Sequence, residues 1–196
     1  MSMSLRIDRR TILAAMLAVL LAAGGLMAAD PEAPGEIAFV GKNAFATANG
    51  TFHVWRIVDR SIDLDDPGAS WAAVEIDLAS VDTGIERRDD HLRDPDFFEV
   101  ETWPLARVRA HSLASADVDE EGRPRFAARF AVDLHGVEKT LDGEVVLVGR
   151  DPVTFEGSLV VDRTAFGVGP PPSRWNPMSI DAEIPIRFRY VLEESS

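Results

Sequence analysis

Apolar and polar residues alternate along most of the chain, which is the pattern of a β-strand with one dry and one wet face. The clearest example is residues 125–134, where Phe126 and Phe130 share one face while Arg125 and Arg129 share the other. The same pattern predicts eight strands, at residues 37–45, 51–58, 71–78, 105–113, 125–134, 140–148, 153–161 and 180–190. Short connections between them, including a hairpin predicted at Asn49-Gly50, favour an antiparallel sheet.

Eight antiparallel strands favour a closed barrel, because eight is the number at which a barrel can just hold one small ligand. Closure also removes the edge strands that otherwise promote aggregation. Four small residues at predicted inward positions indicate unfilled space inside, namely Ala128, Gly143, Gly157 and Ala182. The fold class is therefore predicted to be all-β, as an eight-stranded antiparallel barrel.

Residues 74–108 interrupt the succession of strands. The segment Glu86–Arg93 is charged and contains no Gly or Pro, so a short helix is predicted there, limited by Pro95. Phe97-Phe98 follow directly, and we interpret the helix with this aromatic pair as a lid or plug against the sheet. The two rings either pack in the core or line an apolar cavity, and the two uses are compatible.

Two features outside the strands, one on the predicted helix and one in a loop, leave alternatives open. Arg88 and Asp89 are adjacent on the predicted helix, so they do not face each other and each needs a partner elsewhere. The pair either ties the helix to the barrel or contacts a ligand head group. The Pro-rich residues 169–177 form either the rim of a pocket or a rigid crossover before the last strand.

The N-terminal 29 residues have the pattern of an export signal. Arg6, Arg9 and Arg10 precede an apolar stretch that ends in small residues at Ala28-Ala29. The paired arginines fit either a twin-arginine or a Sec signal. An uncleaved anchor also stays open, because the apolar stretch just reaches the ~18 residues of a spanning helix. We predict a periplasmic or otherwise exported protein, with a flexible segment at 30–36, a barrel domain at 37–192 and a tail at 193–196.

The charge and the lack of cysteine exclude several classes of partner and of chemistry. The formal net charge is -13, and removing the leader, with three arginines against one aspartate, makes it more negative by two. A surface this acidic repels nucleic acid and anionic lipid head groups, so neither is expected as a partner. The chain has no cysteine, which excludes disulfides, thiolate catalysis, cysteine-ligated zinc and lipid attachment at cysteine.

No motif in the chain requires an enzyme. There is no nucleophile elbow, no Gly-rich phosphate loop and no pair of histidines at metal-ligand spacing. We therefore predict no catalytic residue, no cofactor and no metal site. An enzyme that acts on lipid stays open as an alternative, and it rests on the cluster of Arg88, Asp89 and His91 alone.

Three motifs resemble the YceI-like family of periplasmic lipid-binding proteins, and they follow one another along the chain in the order that the family has. The first runs from Asp82-Thr83-Gly84 through Arg88-Asp89, His91-Leu92, Pro95, Asp96-Phe97-Phe98 and Val100 to Trp103-Pro104. The second is Leu134-His135-Gly136-Val137 with Lys139, and the third is Asp162-Arg163 with Phe166-Gly167-Val168. The resemblance covers residues 37–192 and implies a lipocalin-like barrel.

The resemblance also implies a ligand, which the alternation of residues does not show by itself. The family associates with long-chain apolar lipids of the polyisoprenoid or isoprenoid quinone class. We expect the ligand-binding residues to come from the dry strand faces and from the helical insertion. They are Phe52, Ile76, Arg88, Phe97, Phe98, Phe126, Phe130, Phe155 and Phe188.

A second function from a different class stays open. In this alternative the protein is a periplasmic, stress-related interaction module whose barrel is filled by its own side chains. Its acidic exterior would then meet a protein partner. In either case we expect membrane contact only through the leader or during lipid exchange, and the sequence leaves a homodimer open.

Overall fold

The computed structural model describes residues 35–192. The predicted export signal, most of the flexible segment at 30–36 and the tail at 193–196 lie outside the described residues. Between residues 35 and 192, no helix has the length and apolar character needed to cross a bilayer.

Ten antiparallel strands, one α-helix and three short 3-10 helices make up the described domain. The strands are β1 (Gly35–Lys42), β2 (Thr47–Phe52), β3 (Trp55–Ser61), β4 (Trp71–Asp77), β5 (Val81–Asp82), β6 (Leu105–Val118), β7 (Pro124–Leu134), β8 (Val137–Arg150), β9 (Val153–Asp162) and β10 (Glu183–Val191). They form one sheet in the order β3-β4-β6-β7-β8-β9-β10-β1-β2-β5. This all-β, lipocalin-like architecture is as predicted, but the sheet curls into a half-barrel with β3 and β5 at its edges, whereas the sequence favoured a closed barrel.

The predicted count of eight strands is wrong, because one predicted strand is divided and β5 is an additional two-residue strand. Residues 51–58 form the end of β2, which pairs with β1, and the start of β3, which pairs with β4. At the bend between them, the His53 amide donates to the Ser80 carbonyl at 3.3 Å and Val54 accepts from Asp77 at 2.9 Å. Alternation continues through such a bend, so the sequence pattern does not reveal it.

The first hairpin turn lies at residues 43–46, so the turn predicted at Asn49-Gly50 is wrong. The side-chain oxygen of Asn43 accepts the amides of Phe45 and Ala46, both at 2.9 Å, which closes the turn. Gly50 lies inside β2, where a Cβ would be 2.3 Å from Cζ of Phe39. Gly50 is therefore required because the ring of Phe39, on the neighbouring strand, packs against it, and not because of a turn.

The glycines on the inner face of the sheet do not leave empty space. A Cβ added at Gly157 would lie 2.3 Å from Cζ of Phe188, and one at Gly143 would lie 2.8 Å from Cε2 of Phe130. The two rings meet nearly edge to face, with centroids 5.9 Å apart. The expectation that these small residues open the interior is therefore wrong at both glycines, since each accommodates an aromatic ring.

The α-helix of the described residues, α1 (Glu86–Arg93), has the predicted bounds. Arg93 fixes it to the sheet by donating to the carbonyls of Ala79 and Val81, each at 2.9 Å. A Cβ at Gly169 in the β9–β10 loop would lie 2.8 Å from the Phe97 ring, so this loop lies against the segment that follows α1. The helix and this loop together cover one end of the half-barrel.

Candidate ligand-binding cavity

The half-barrel encloses a cavity of about 290 Å³. Its walls come from the inner faces of β1–β4, β6, β7, β9 and β10 and from the helical insertion. Four of the lining residues carry strongly polar groups, namely Thr83, Arg88, His91 and Arg163, and the remainder are aliphatic, aromatic or glycine. Such a surface favours an apolar ligand with a small number of polar contacts.

Seven of the nine predicted site residues line this cavity. They are Phe52, Ile76, Arg88, Phe97, Phe98, Phe130 and Phe188. Phe97 is buried and Phe98 is half-buried, and both rings serve as packing and as cavity wall at once. Their contact with a ligand stays a prediction.

The other two predicted residues, Phe126 and Phe155, line a separate cavity of about 100 Å³. It lies toward the end of the sheet that carries the β6–β7 hairpin. Phe188 contributes to the walls of both cavities, as do Ala72, Ala110 and Tyr190. The Phe188 ring therefore forms part of the partition between the two spaces.

Several lining residues were missed by the sequence analysis. Ile184 and Ile186 line the main cavity from the same face of β10 as Phe188, so alternation alone could have identified them. Trp55 also lines it and is buried, with its indole N–H lacking a hydrogen-bond partner among the described residues. Because both faces of β3 carry bulky side chains, the sequence pattern does not show that Trp55 points inward.

Thr83 connects the charged pair of the insertion. The buried Asp89 carboxylate accepts the backbone amide of Thr83 at 2.9 Å and also its hydroxyl. Arg88 donates from Nε to the Thr83 hydroxyl at 2.7 Å and from Nη2 to its carbonyl at 2.8 Å. Both side chains thus tie α1 to the chain that follows β5. Within the described residues Arg88 has no ion pair with a carboxylate, so its charge at the cavity wall is not neutralised directly.

Arg163 organises the loop between β9 and β10. Its guanidinium donates to four main-chain carbonyls: Val168 at 2.8 Å, Pro170 at 2.9 Å, Asp181 at 3.0 Å and Ile180 at 2.7 Å. Burial lowers the pKa of the Arg163 guanidinium from its ordinary value. The side chain thus fixes both ends of the loop beside the cavity, with four of its five N–H donors already occupied by the backbone.

The polar lining residues lie close together. The Phe97 ring is 4.8 Å from the His91 ring, and a Cβ at Gly169 would be within 3 Å of both Phe97 and the Arg163 guanidinium. His91 is the most exposed of the group, with 55% of its side chain accessible. The cavity therefore has an apolar body and one polar end beneath α1.

The family assignment follows from a model of the YceI-like domain that matches residues 28–192. The chain belongs to the YceI-like family. A UPF0312 protein of Pseudomonas savastanoi is 32% identical over 172 residues, covering 79% of this chain and 84% of its own length. A UPF0312 protein of Photorhabdus laumondii is 32% identical over 145 residues, covering 69% and 71%.

Two solved structures share the fold of this YceI-like chain. BcnA of Burkholderia cenocepacia superposes with a TM-score of 0.71 at 23% identity, covering 81% of this chain and 96% of BcnA. A polyisoprenoid binding domain from Saccharophagus degradans superposes with a TM-score of 0.59 at 18% identity, covering 83% and 97%.

The second and third YceI-like motifs have structural roles. His135 and Gly136 form the two-residue turn between β7 and β8, with φ of 54° and 73°. Positive φ at both positions is what a type I′ hairpin requires. The ring of Trp103 lies against Gly136, where a Cβ would be 2.5 Å from it. In the third motif, Asp162 accepts the Thr164 amide at 3.0 Å and begins the short helical turn that places Arg163.

His91, Asp94 and Asp96 form an exposed cluster whose candidate ligand atoms lie within 4.8 Å of one another. Nδ1 of His91 faces Asp94 at 3.5 Å, whereas Nε2 faces Asp96 at 3.8 Å. A single ion would use only one of these ring nitrogens. The geometry therefore favours a histidine held between two carboxylates over a histidine that chelates a metal with both of them.

Proposed function

We propose that this YceI-like protein binds a long-chain apolar lipid of the polyisoprenoid or isoprenoid quinone class inside the half-barrel. The observation that carries the proposal is the apolar cavity of about 290 Å³ with polar groups at one end. This volume lies near the lower limit for small-molecule sites, which run from about 300 to 1,000 Å³.

The cavity volume sets the length of chain that fits. A water-sized group occupies about 30 Å³ in a liquid, so a volume of about 290 Å³ holds roughly ten carbon-sized groups, or about two isoprene units. A longer chain would have to project from the opening or enter the second cavity of about 100 Å³.

Affinity comes mainly from the chain, at about 0.8 kcal/mol for each buried methylene, and far less from the head group. Arg88 is suited to an oxygen acceptor such as a carbonyl or a phosphate, because its guanidinium keeps N–H donors at the polar end beyond those that it gives to Thr83. A quinone or a prenyl phosphate carries such an acceptor. We therefore expect strong selection for chain length and weak selection between head groups.

Two further observations support the proposal. The structurally similar domain from Saccharophagus degradans is a polyisoprenoid binding domain. The export-type leader supports a location outside the cytoplasm. No arrangement of side chains in the cavity suggests turnover, so the proposed role is binding without catalysis.

The test is a ladder of isoprenoid quinones that differ only in the number of isoprene units. Trp55 lies in the cavity wall, so quenching of its fluorescence reports occupancy. We expect Kd to fall steeply over the first two units and then to level off. Equal Kd values along the ladder would show that the chain is not buried and would contradict the proposal.

One observation favours the alternative function, a protein-interaction module with a packed barrel. Phe130 and Phe188 fill the space beside the inner-face glycines, so part of the interior is already occupied. In that case no quinone of any length would quench Trp55. The same titration therefore separates the two candidate functions.

A further inference from the structure

Three large apolar side chains project from one end of the half-barrel. Phe45 is 73% exposed, Trp175 is 87% exposed and Met178 is 61% exposed. Phe45 belongs to the β1–β2 turn at 43–46, and the other two belong to residues 173–178 of the β9–β10 loop. These two segments together are called the tip.

Hydrogen bonds join the two segments of the tip. The Ala44 amide donates to the Pro177 carbonyl at 3.2 Å, and the Asn43 side chain donates to the Met178 carbonyl at 3.5 Å. Within the loop, the Asn176 side chain accepts the Met178 amide at 3.1 Å. The exposed side chains are thus presented by a hydrogen-bonded scaffold, which lowers the entropic cost of using them in binding.

The charge around the tip differs from that of the whole protein. Residues 41–50 and 163–180 contain no Asp or Glu, although the chain has 33 acidic residues among 196. Arg174 lies within the tip and Lys42 directly precedes it, and the Arg174 guanidinium lies 5.8 Å from the centroid of the Trp175 ring. The tip itself therefore adds no carboxylate that a negatively charged surface would repel.

The tip adjoins the main cavity. Gly41, Ala48 and Ile180 flank the tip in sequence, and all three line the cavity. Asp181 donates its amide to the Lys42 carbonyl at 2.8 Å, which holds the strand before the turn against the end of the loop. A lipid that passed between a bilayer and the cavity would have a short route beside the tip.

We propose that the tip docks on the surface of a lipid bilayer. Trp is enriched at membrane interfaces because its ring is apolar and its N–H stays hydrated, and a neighbouring Arg can reach lipid phosphates. Three side chains of this size bury about 600 Å², which is less than the about 800 Å² per partner of a standard protein interface. The exchange of lipid at this surface rests on the proposed function, whereas docking itself does not.

Docking is measured with vesicles of phosphatidylethanolamine containing a minority of phosphatidylglycerol. The protein is compared with the triple variant Phe45→Ser, Trp175→Ser, Met178→Ser. Val118→Ser is the matched control, because Val118 is also exposed but lies at the opposite end of the sheet. All proteins are prepared without the predicted leader at residues 1–29, because an apolar anchor would hold every variant on the vesicles and hide the contribution of the tip.

We expect the triple variant to partition at least about tenfold less well, since losing even one buried aromatic costs about 1.5 kcal/mol or more. Lipids brominated in the acyl chain should quench the unsubstituted protein, and Trp175→Phe should remove most of that quenching while retaining binding. Equal partitioning of all three proteins would overturn the proposal. A tip-dependent dimer in sedimentation velocity, without vesicle binding, would overturn it in favour of a second copy as the partner.

The two proposals fail in different ways. Equilibrium dialysis with a short, water-soluble quinone measures uptake without any membrane. If docking is correct, the triple variant takes up this quinone like the unsubstituted protein but exchanges long-chain quinone between vesicles more slowly. If no protein takes up quinone while the tip still binds vesicles, the proposed function fails and docking stands.

Discussion

Phe188→Ala should lengthen the chain that the cavity accepts. Phe188 lines both interior cavities, and its ring packs on Gly157 beside Phe130. Replacing the ring by a methyl group removes part of the partition. The second cavity of about 100 Å³ then becomes continuous with the first, which adds room for about three carbon-sized groups beyond the space that the deleted ring vacates.

The expected gain follows from burial of those groups. At about 0.8 kcal/mol each, the three methylenes in the second cavity alone add about 2.4 kcal/mol, or about 50-fold in Kd, for a ligand long enough to reach it, and the groups that take the place of the ring add to this gain. A ligand that fills only the first cavity should change little. Because Phe188 is half-buried, we expect the free energy of unfolding to fall by about 2–3 kcal/mol, somewhat less than for a fully buried Phe.

The assay is the quinone ladder, read by Trp55 quenching, with the unfolding of each variant followed in urea. Phe126→Ala is the control, because Phe126 is buried and lines only the second cavity. It deletes the same ring without opening the partition, so the chain length at which Kd levels off should not move. If Phe188→Ala and the unsubstituted protein level off at the same length, the reasoning about the partition is wrong.

Three further predictions concern stability. Arg163→Lys should lower the free energy of unfolding, measured by urea denaturation, by about 2–4 kcal/mol. The reason is that lysine cannot reproduce four bonds to main-chain carbonyls. A change below about 1 kcal/mol would contradict this role. Asp89→Asn should destabilise α1, seen as faster amide exchange at 86–93, because the neutral amide oxygen accepts the two bonds from Thr83 without the negative charge that strengthens them. The hydrogen bond from Arg56 lowers the pKa of Glu75 below its ordinary value of about 4.5, so folding favours the carboxylate. Its stabilisation is therefore present above about pH 4.5 and is lost as the pH falls through the lower folded pKa. Glu75→Gln should be less stable than the unsubstituted protein at pH 7 and equal to it in acid, and a difference that persists in acid would refute this.

Local signals in the sequence were enough for the main elements. The bounds of α1 are as predicted. A charged segment without Gly or Pro favours a helix, and Pro95 limits it because the residue before a proline disfavours the helical conformation. The antiparallel sheet also follows from alternation and short connections. Both results depend on neighbours in sequence, which the sequence displays directly.

Other features depend on contacts between distant residues and were missed for that reason. Gly50 has the sequence context of a turn, but the ring of Phe39 on the neighbouring strand requires it. Phe126 and Phe155 lie on the predicted face, yet they border a different cavity from Phe130. Alternation gives the face of a side chain and not its height along the half-barrel, so the partition between the cavities is visible only in three dimensions.

The most direct test of lipid binding is native mass spectrometry of the purified protein, combined with solvent extraction of the same sample. The proposed function predicts a bound species of defined mass that is lost on denaturation and is recovered in the solvent as a molecule with an isoprenoid chain. A protein of unliganded mass that also takes up no added quinone or polyprenyl chain would contradict it.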